Sequence, residues 1–356
     1  MSTRNPILKF IGRTLLAALP ALAMIAWYAI ADPFGVVRAY RGHIPESNGI
    51  TLAINYGYVS TESFNYYRDS MRYDSFIFGS SMSQYYKAEY WKRHLPKDAV
   101  VCHYDASMET IDGIINKIHY IHSKGMAVKH ALIVIEEAML HRQPQDNNFL
   151  YAQHYATTPG CDYLHFQNLY FNIFRNPAFL KFTINPGKYA PEMVASHYAS
   201  ADLQDRIENI NESYYAHFDS LIACSPEKYF TAQRMSRRKY APLPQPYEPQ
   251  IKGAMLCKLF KLKELLTANG TDYLIIIPPR YHREQLNSSD LYQLQCLFGN
   301  TRVHDFSHDS SLSNDPRSYY DNDVHLISAK CKLLLDSCYE QQESMLESPY
   351  TRHRNS

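Results

Sequence analysis

The stretch that decides the fold is an apolar run ending in a turn of small residues: Asp74-Ser75-Phe76-Ile77-Phe78-Gly79-Ser80-Ser81. The apolar residues predict a buried β-strand, and Gly79 permits a tight turn directly after it. A turn of this kind can expose a serine hydroxyl at the edge of a sheet. Ser81 is therefore a candidate nucleophile, although Gly-Ser-Ser before a helix is also an ordinary helix cap.

Four further apolar runs predict strands, at residues 99–102, 131–135, 273–277 and 302–306. Helical patterns alternate with them, beginning with isoleucines at helical spacing from Ile111. An amphipathic helix is expected over 253–268. A last helix is expected over 328–342, with Leu333, Leu334 and Cys338 facing inward. Strands that alternate with helices predict an α/β fold with a parallel sheet and right-handed crossovers.

The composition along the chain predicts several regions. These are an N-terminal segment (1–35), an irregular stalk or lead-in (36–70), the α/β domain (71–345) and a disordered tail (346–356). Within the α/β domain, residues 142–250 interrupt the alternation with aromatic helical stretches and a proline-rich end. We interpret this interruption as a mostly helical insertion that lies over the sheet, where it could cap a substrate.

The N-terminal segment carries an apolar run from Thr14 to Ile30 without a charged residue, close to the length that a bilayer core requires. Basic residues precede it, and Trp27 and Tyr28 stand where an interfacial aromatic belt would lie. We predict an uncleaved single-pass anchor in a bacterial inner (cytoplasmic) membrane, with the following domain periplasmic or extracellular. A cleaved signal peptide is the alternative.

The bulk composition excludes some partners. The 356-residue chain has a net charge of +1, whereas nucleic-acid binding usually needs a clear basic excess. Seven cysteines without a C-x-x-C pair argue against a zinc site. His119 and His122 share a helical face, but the sequence offers no evident third ligand. We therefore expect no nucleic-acid partner, no metal and no organic cofactor.

A second segment follows the last strand: Tyr320-Asp321-Asn322-Asp323-Val324-His325-Leu326. His325 could act as the base that activates Ser81, and Asp323 or Asp321 could orient its imidazole. The carboxyl ends of parallel strands meet at one edge of a sheet, so this segment should lie near Ser81. A turn rich in Asp and Asn that caps the final helix is the alternative interpretation.

Together these segments resemble blocks of the SGNH (GDSL-like) hydrolase superfamily, in particular its membrane-anchored cell-envelope branch of acyltransferase-like and esterase-like proteins. Residues 78–81 resemble the first block, with Ser81 in the nucleophile position and Ser80 replacing the usual Asp. Residues 320–326 resemble the last block, which normally reads D-x-x-H-L. Here Asn322 occupies the Asp position, and the carboxylates lie on either side of it.

The resemblance implies a three-layer α/β/α domain of the SGNH/flavodoxin-like type and serine-dependent acyl chemistry, transfer or ester hydrolysis, on a cell-envelope polysaccharide. The implied partners are such a glycan or a lipid-linked sugar, and a membrane protein that donates acyl groups. Weaker oxyanion-hole or substrate-binding candidates are Gly79, Ser80, Ser107 and Glu136. A catalytically inactive binding or scaffold protein of the envelope, which has kept the fold, is the alternative function.

Overall fold

The computed structural model describes residues 6–38, 55–145, 147–185, 205–236, 248–281, 285–320 and 325–347. Its longer helices are α1 (Pro6–Ala31), α2 (Tyr56–Met71), α3 (Ile111–Ser123), α4 (Tyr163–Phe174), α5 (Pro177–Ile184), α6 (Ala216–Cys224), α7 (Ala254–Ala268), α8 (Ser288–Phe298) and α9 (Ser328–Glu347). Its strands are β1 (Ser75–Gly79), β2 (Val101–His103), β3 (His130–Val134), β4 (Asp205–Ile207), β5 (Glu212–Tyr214), β6 (Asp272–Ile277) and β7 (Val303–Asp305).

Shorter helical turns complete the secondary structure, at Ser81–Tyr85, Ala88–Trp91, Lys92–His94, Glu137–Leu140, Glu208–Ile210, Pro226–Tyr229, Ala232–Ser236, Ser310–Ser313 and Pro316–Ser318. The described residues fall into two compact units. One holds α1, α4 and α5, and the other holds the sheet and the remaining helices.

The sheet has five strands in the order β2-β1-β3-β6-β7, all parallel. Its central strands are buried along nearly their whole length, as their uninterrupted apolar sequences predict. The chain leaves β1 toward one side of the sheet and returns to the other side of β1 with β3. This reversal makes the gap between β1 and β3 the topological switch point, where open α/β sheets bind ligands.

Helices cover both faces of the sheet. On the first face, Phe76 and Phe78 of β1 pack with isoleucines of α3 and leucines of α7. On the second face, Ile77 of the same strand packs with aromatic residues after β1 and with the inner side of α9. Because side chains alternate along the strand, they contribute to two separate hydrophobic cores. The predicted α/β fold with a parallel sheet is confirmed.

The irregular stalk that we expected over 36–70 is wrong from residue 56 onward, because Tyr56–Met71 forms α2. Asn55 caps this helix by accepting a hydrogen bond from the backbone N–H of Tyr58 at 2.9 Å. The side chain of Phe64 is fully buried against the sheet. Tertiary burial thus stabilises a helix whose polar and aromatic composition gave no clear helical signal.

The insertion is less uniform than the predicted helical cap over 142–250. Its helices α4 and α5 belong to the unit that contains α1, whereas 205–236 belongs to the unit that contains the sheet. The second part begins with the antiparallel pair β4–β5, which the sequence did not suggest. Of the predicted disordered tail, residues 348–356 lie outside the described residues, and residues up to Glu347 are helical.

Helix α1 is 26 residues long and apolar enough to cross a membrane, a property that it would share with a signal sequence. Most of its side chains are exposed. Tyr28, near its C-terminal end, is buried and donates a hydrogen bond from its hydroxyl to Oε1 of Gln167 on α4 at 2.7 Å. The same ring packs against Phe171 and Phe174. Within its unit, the side chains of α1 are therefore packed against α4 near the C-terminal end and mostly exposed along the rest of the helix.

Candidate functional site

The turn after β1 brings Ser81 to the carboxyl edge of the sheet. Gly79 lies so close to β3 that an added Cβ would stand 2.9 Å from the carbonyl oxygen of Val134 and 2.8 Å from Cβ of Ser83. Only glycine fits this close approach without a shift of the neighbouring backbone. The backbone then enters the 3₁₀ turn Ser81–Tyr85, which starts one residue after the strand.

The two serines of the turn differ in environment. Ser80 is buried, and its hydroxyl oxygen accepts a long hydrogen bond from the backbone N–H of Met82 at 3.4 Å. Its carbonyl accepts hydrogen bonds from the backbone N–H and the hydroxyl of Ser83, at 2.9 and 2.7 Å. Ser80 therefore closes the turn, whereas Ser81 is partly exposed.

His325 meets Ser81 at this edge. Its Nε2 lies 3.0 Å from the Ser81 hydroxyl oxygen, although the two residues are 244 positions apart in the chain. When the neutral imidazole carries its proton on Nδ1, the hydroxyl donates its hydrogen to Nε2. This is the hydrogen bond that a serine nucleophile and its general base require.

Backbone pairing fixes the segment that carries His325. Tyr319 and Leu326 form an antiparallel bridge, and the N–H of Tyr320 donates to the carbonyl of His325 at 2.8 Å. Helix α9 begins at Ser328, three residues after the histidine. The predicted orienting carboxylates, Asp321 and Asp323, lie outside the described residues.

Two of the weaker predicted site residues, Ser107 and Glu136, form no hydrogen bond with the pair among the described residues, whereas Gly79 and Ser80 belong to the turn that carries Ser81. Ser107 lies in a turn after β2, and Glu136 lies two residues after the end of β3. Glu136 is buried in an ion pair with Arg142, with 2.6 Å between carboxylate and guanidinium. Among the described residues, neither Ser107 nor Glu136 hydrogen-bonds Ser81.

The next residue, Glu137, is more deeply buried and forms an ion pair with Arg280, which follows β6. Burial raises the pKa of the Glu137 carboxyl, and the positive charge of Arg280 only partly opposes this effect. At the carboxyl edge beside β3 and β6, both glutamates are therefore paired with arginines.

Three tyrosines lie beside the pair, and two of them, Tyr85 and Tyr215, belong to no motif found in the sequence. The ring of Tyr85 lies 5.2 Å from the imidazole of His325 and 5.0 Å from the ring of Tyr320. Tyr215, which follows β5, packs on both tyrosines at 5.8 and 5.2 Å. The high tyrosine content of the chain was the only signal for this wall, and it does not locate individual residues.

Within the described part of the chain, no group of three His, Cys, Asp or Glu side chains lies close enough together to hold a metal ion. His119 and His122 therefore gain no third ligand from the described residues. The seven cysteines, all within those residues, are free thiols.

No family model matches the chain, and no curated protein sequence is significantly similar to it. The Ser81–His325 pair, at the switch point of the sheet, is therefore the feature that points to a function.

Proposed function

We propose that the chain is an SGNH-type serine esterase or O-acyltransferase that acts on a cell-envelope polysaccharide. The observation that carries this proposal is the 3.0 Å separation between the Ser81 hydroxyl and Nε2 of His325. Helix capping explains the serine at position 80, whose hydroxyl accepts a hydrogen bond from the N–H of Met82. It gives no reason for an imidazole from the far end of the chain to contact Ser81.

The chemistry follows from the two side chains. The Ser81 oxygen attacks the ester carbonyl of the acyl donor while His325 takes the hydroxyl proton. The tetrahedral intermediate collapses to an acyl-serine, and the leaving alkoxide takes the proton back from His325. Water or a sugar hydroxyl then attacks the acyl-serine, with His325 again as base, which releases the acid or the new ester and restores Ser81.

The imidazolium that forms in each step gains from a nearby carboxylate. The sequence offers Asp321 and Asp323 for this role, and we propose that one of them orients His325. Whether water or a sugar attacks the acyl-serine decides between hydrolase and transferase, and both belong to the proposal. No metal or organic cofactor takes part in it.

The cellular setting is proposed from α1. We propose that it anchors the chain in a bacterial inner membrane, with its N-terminus cytoplasmic and the sheet-containing domain periplasmic. There the acceptor would be an envelope glycan or a lipid-linked sugar, and a membrane protein would hand over acyl groups.

The second candidate is an inactive envelope binding or scaffold protein of the same fold. The presence of Asn322 where the D-x-x-H pattern has Asp favours it, because an amide orients an imidazole without stabilising its charge.

Labelling of the detergent-solubilised full chain with a fluorophosphonate probe tests the proposal, since the probe reacts only with an activated serine. We expect a single adduct at Ser81, found by peptide mass spectrometry. Ser81→Ala should abolish the adduct, and His325→Ala should slow its formation by at least about 1000-fold.

Ser80→Ala is the matched control. Its hydroxyl serves the turn, so this variant should still be labelled at Ser81. If the wild-type chain takes no label, or if Ser81→Ala is labelled as fast as the wild type, the esterase proposal fails and the scaffold alternative is favoured.

A further inference from the structure

A carboxylate on the insertion connects the two segments that carry Ser81 and His325. Asp219 lies on α6 and is three-quarters buried. Its Oδ2 lies 2.7 Å from Nζ of Lys87, which follows the 3₁₀ turn that begins at Ser81. Its Oδ1 accepts a hydrogen bond from the hydroxyl of Tyr320, which belongs to the segment of His325.

We propose that Asp219 is a positioning residue that holds the Ser81 segment and the His325 segment in register. The inference rests on the proposed serine chemistry and adds a role for the insertion in it. Each carboxylate oxygen serves one segment, so a single side chain fixes both.

The Tyr320 hydroxyl is well suited to this linkage. It donates a hydrogen bond to Asp219, and it accepts one from the backbone N–H of Ser328 at 3.0 Å. Burial, together with the negative charge of Asp219, raises the pKa of Tyr320, so the phenol remains a donor. The backbone N–H of Tyr320 in turn donates to the carbonyl of His325. Tyr320 thus connects Asp219 to His325 through two hydrogen bonds.

On the nucleophile side, Lys87 is largely buried. Burial alone would lower its pKa, but the hydrogen bond and the charge of Asp219 raise it overall. Lys87 therefore stays charged, and its ammonium also lies 5.0 Å from the centre of the Tyr214 ring on β5. Removing the carboxylate would leave this buried charge without its counter-ion and Tyr320 without its acceptor.

The test compares Asp219→Asn with Glu227→Gln. Glu227 is an exposed carboxylate in the neighbouring turn Pro226–Tyr229, so its loss should change nothing. With the full chain in detergent, we measure kcat and KM for p-nitrophenyl acetate and the rate of fluorophosphonate labelling. Asp219→Asn should lower kcat and the labelling rate by about 10-fold, with KM unchanged, because a small misplacement of the pair slows proton transfer.

A double-mutant cycle separates positioning from a general loss of structure. Tyr320→Phe should lower kcat by a similar factor, and adding Asp219→Asn should lower it little further, because both changes break one linkage. Lys87→Met serves as a third variant if Asp219→Asn does not fold, and it should again lower kcat without raising KM.

The outcomes distinguish the two proposals. If wild type and Glu227→Gln both label at Ser81 while Asp219→Asn labels equally fast, the positioning role is wrong and the serine chemistry stands. If none of the three labels at Ser81, both proposals are wrong. Fully additive losses in the cycle would also overturn the inference.

Discussion

The two faces of the sheet are built differently. The first face is packed mainly by isoleucine and leucine from α3, α7 and α8, in the regular spacing of amphipathic helices. The second face is richer in tyrosine and contains the buried Trp91, and several of these side chains are hydrogen-bonded. Trp91, for example, donates to the Tyr339 hydroxyl at 2.9 Å, and the Tyr229 hydroxyl donates to the carbonyl of Tyr320 at 2.6 Å.

This contrast suggests that one face contributes mainly to the stability of the fold, and that the other also fixes the positions of the candidate site residues. Aliphatic packing is non-directional and tolerates small shifts, whereas a hydrogen-bonded aromatic core fixes positions and directions. The Ser81 turn, the His325 segment and residues 205–236 of the insertion all contact the second core. We infer that the first face chiefly stabilises the domain, and that the second face also aligns the candidate site. The following predictions test that division.

The largest expected effect is on stability, from the first face. Leu262 of α7 is fully buried, so Leu262→Ala should lower the free energy of unfolding by about 2–5 kcal/mol. Urea unfolding in detergent, followed by tryptophan fluorescence, measures it. Leu333→Ala on the exposed side of α9 is the control and should change stability by no more than about 0.5 kcal/mol. Equal losses in the two variants would contradict the packing.

An intermediate effect is expected at Gly79, which affects both the stability of the fold and the position of Ser81. Gly79→Ala forces a methyl group against Val134 and Ser83, which should cost about 1–3 kcal/mol and slow the labelling of Ser81. Gly12→Ala on α1, where nothing lies within 4 Å, is the matched control and should leave both quantities unchanged. A fully active and stable Gly79→Ala variant would show that the turn is looser than described.

The smallest effect concerns pH. Glu212 on β5 is buried, with its Oε2 3.2 Å from Nε2 of His103. Burial alone would raise the pKa of Glu212, but His103 and the backbone N–H of Ala88 lower it below its ordinary value of 4.5. Because its pKa is lowered in the folded protein, the charged carboxylate stabilises the fold at pH values above the ordinary pKa of 4.5. This stabilisation is lost as the pH falls through the lowered pKa of the folded protein.

We therefore expect the unfolding free energy of the wild type to fall more steeply than that of Glu212→Gln as the pH drops below about 4.5. The difference in slope for one carboxyl is at most about 1.4 kcal/mol per pH unit. Urea unfolding at a series of acidic pH values measures it. Parallel curves for the two proteins would rule out the contribution of Glu212.

The sequence predicted the five strands of the large sheet and α3, α7 and α9 well, because long apolar runs and regular spacing reflect burial directly. It also predicted that Ser81 and His325 share one edge of the sheet, since parallel strands bring their carboxyl ends together. It erred at Leu333, which is exposed, because residues adjacent in sequence point about 100° apart on a helix. Cys331, Leu334 and Cys338 share the inward face instead.

The insertion could not be predicted to the same degree. Strands β4 and β5 are only three residues long, too short for a period to register. Asp219 carries no local motif, and its partners lie about 100 residues or more away along the chain. Contacts of this kind are set by tertiary packing and leave no trace in local composition.

The order of strands has a consequence for how the domain is made. The middle of the sheet joins β3 to β6, pairing His130 with Asp272, so the whole intervening insertion must be looped out before the sheet can close. Contacts between residues so distant in sequence slow folding, because the chain loses conformational entropy on closing the loop before the stabilising contacts form. A chain emerging N-terminus first would carry its serine long before its histidine, and we expect it to acquire reactivity only in the last stage of folding.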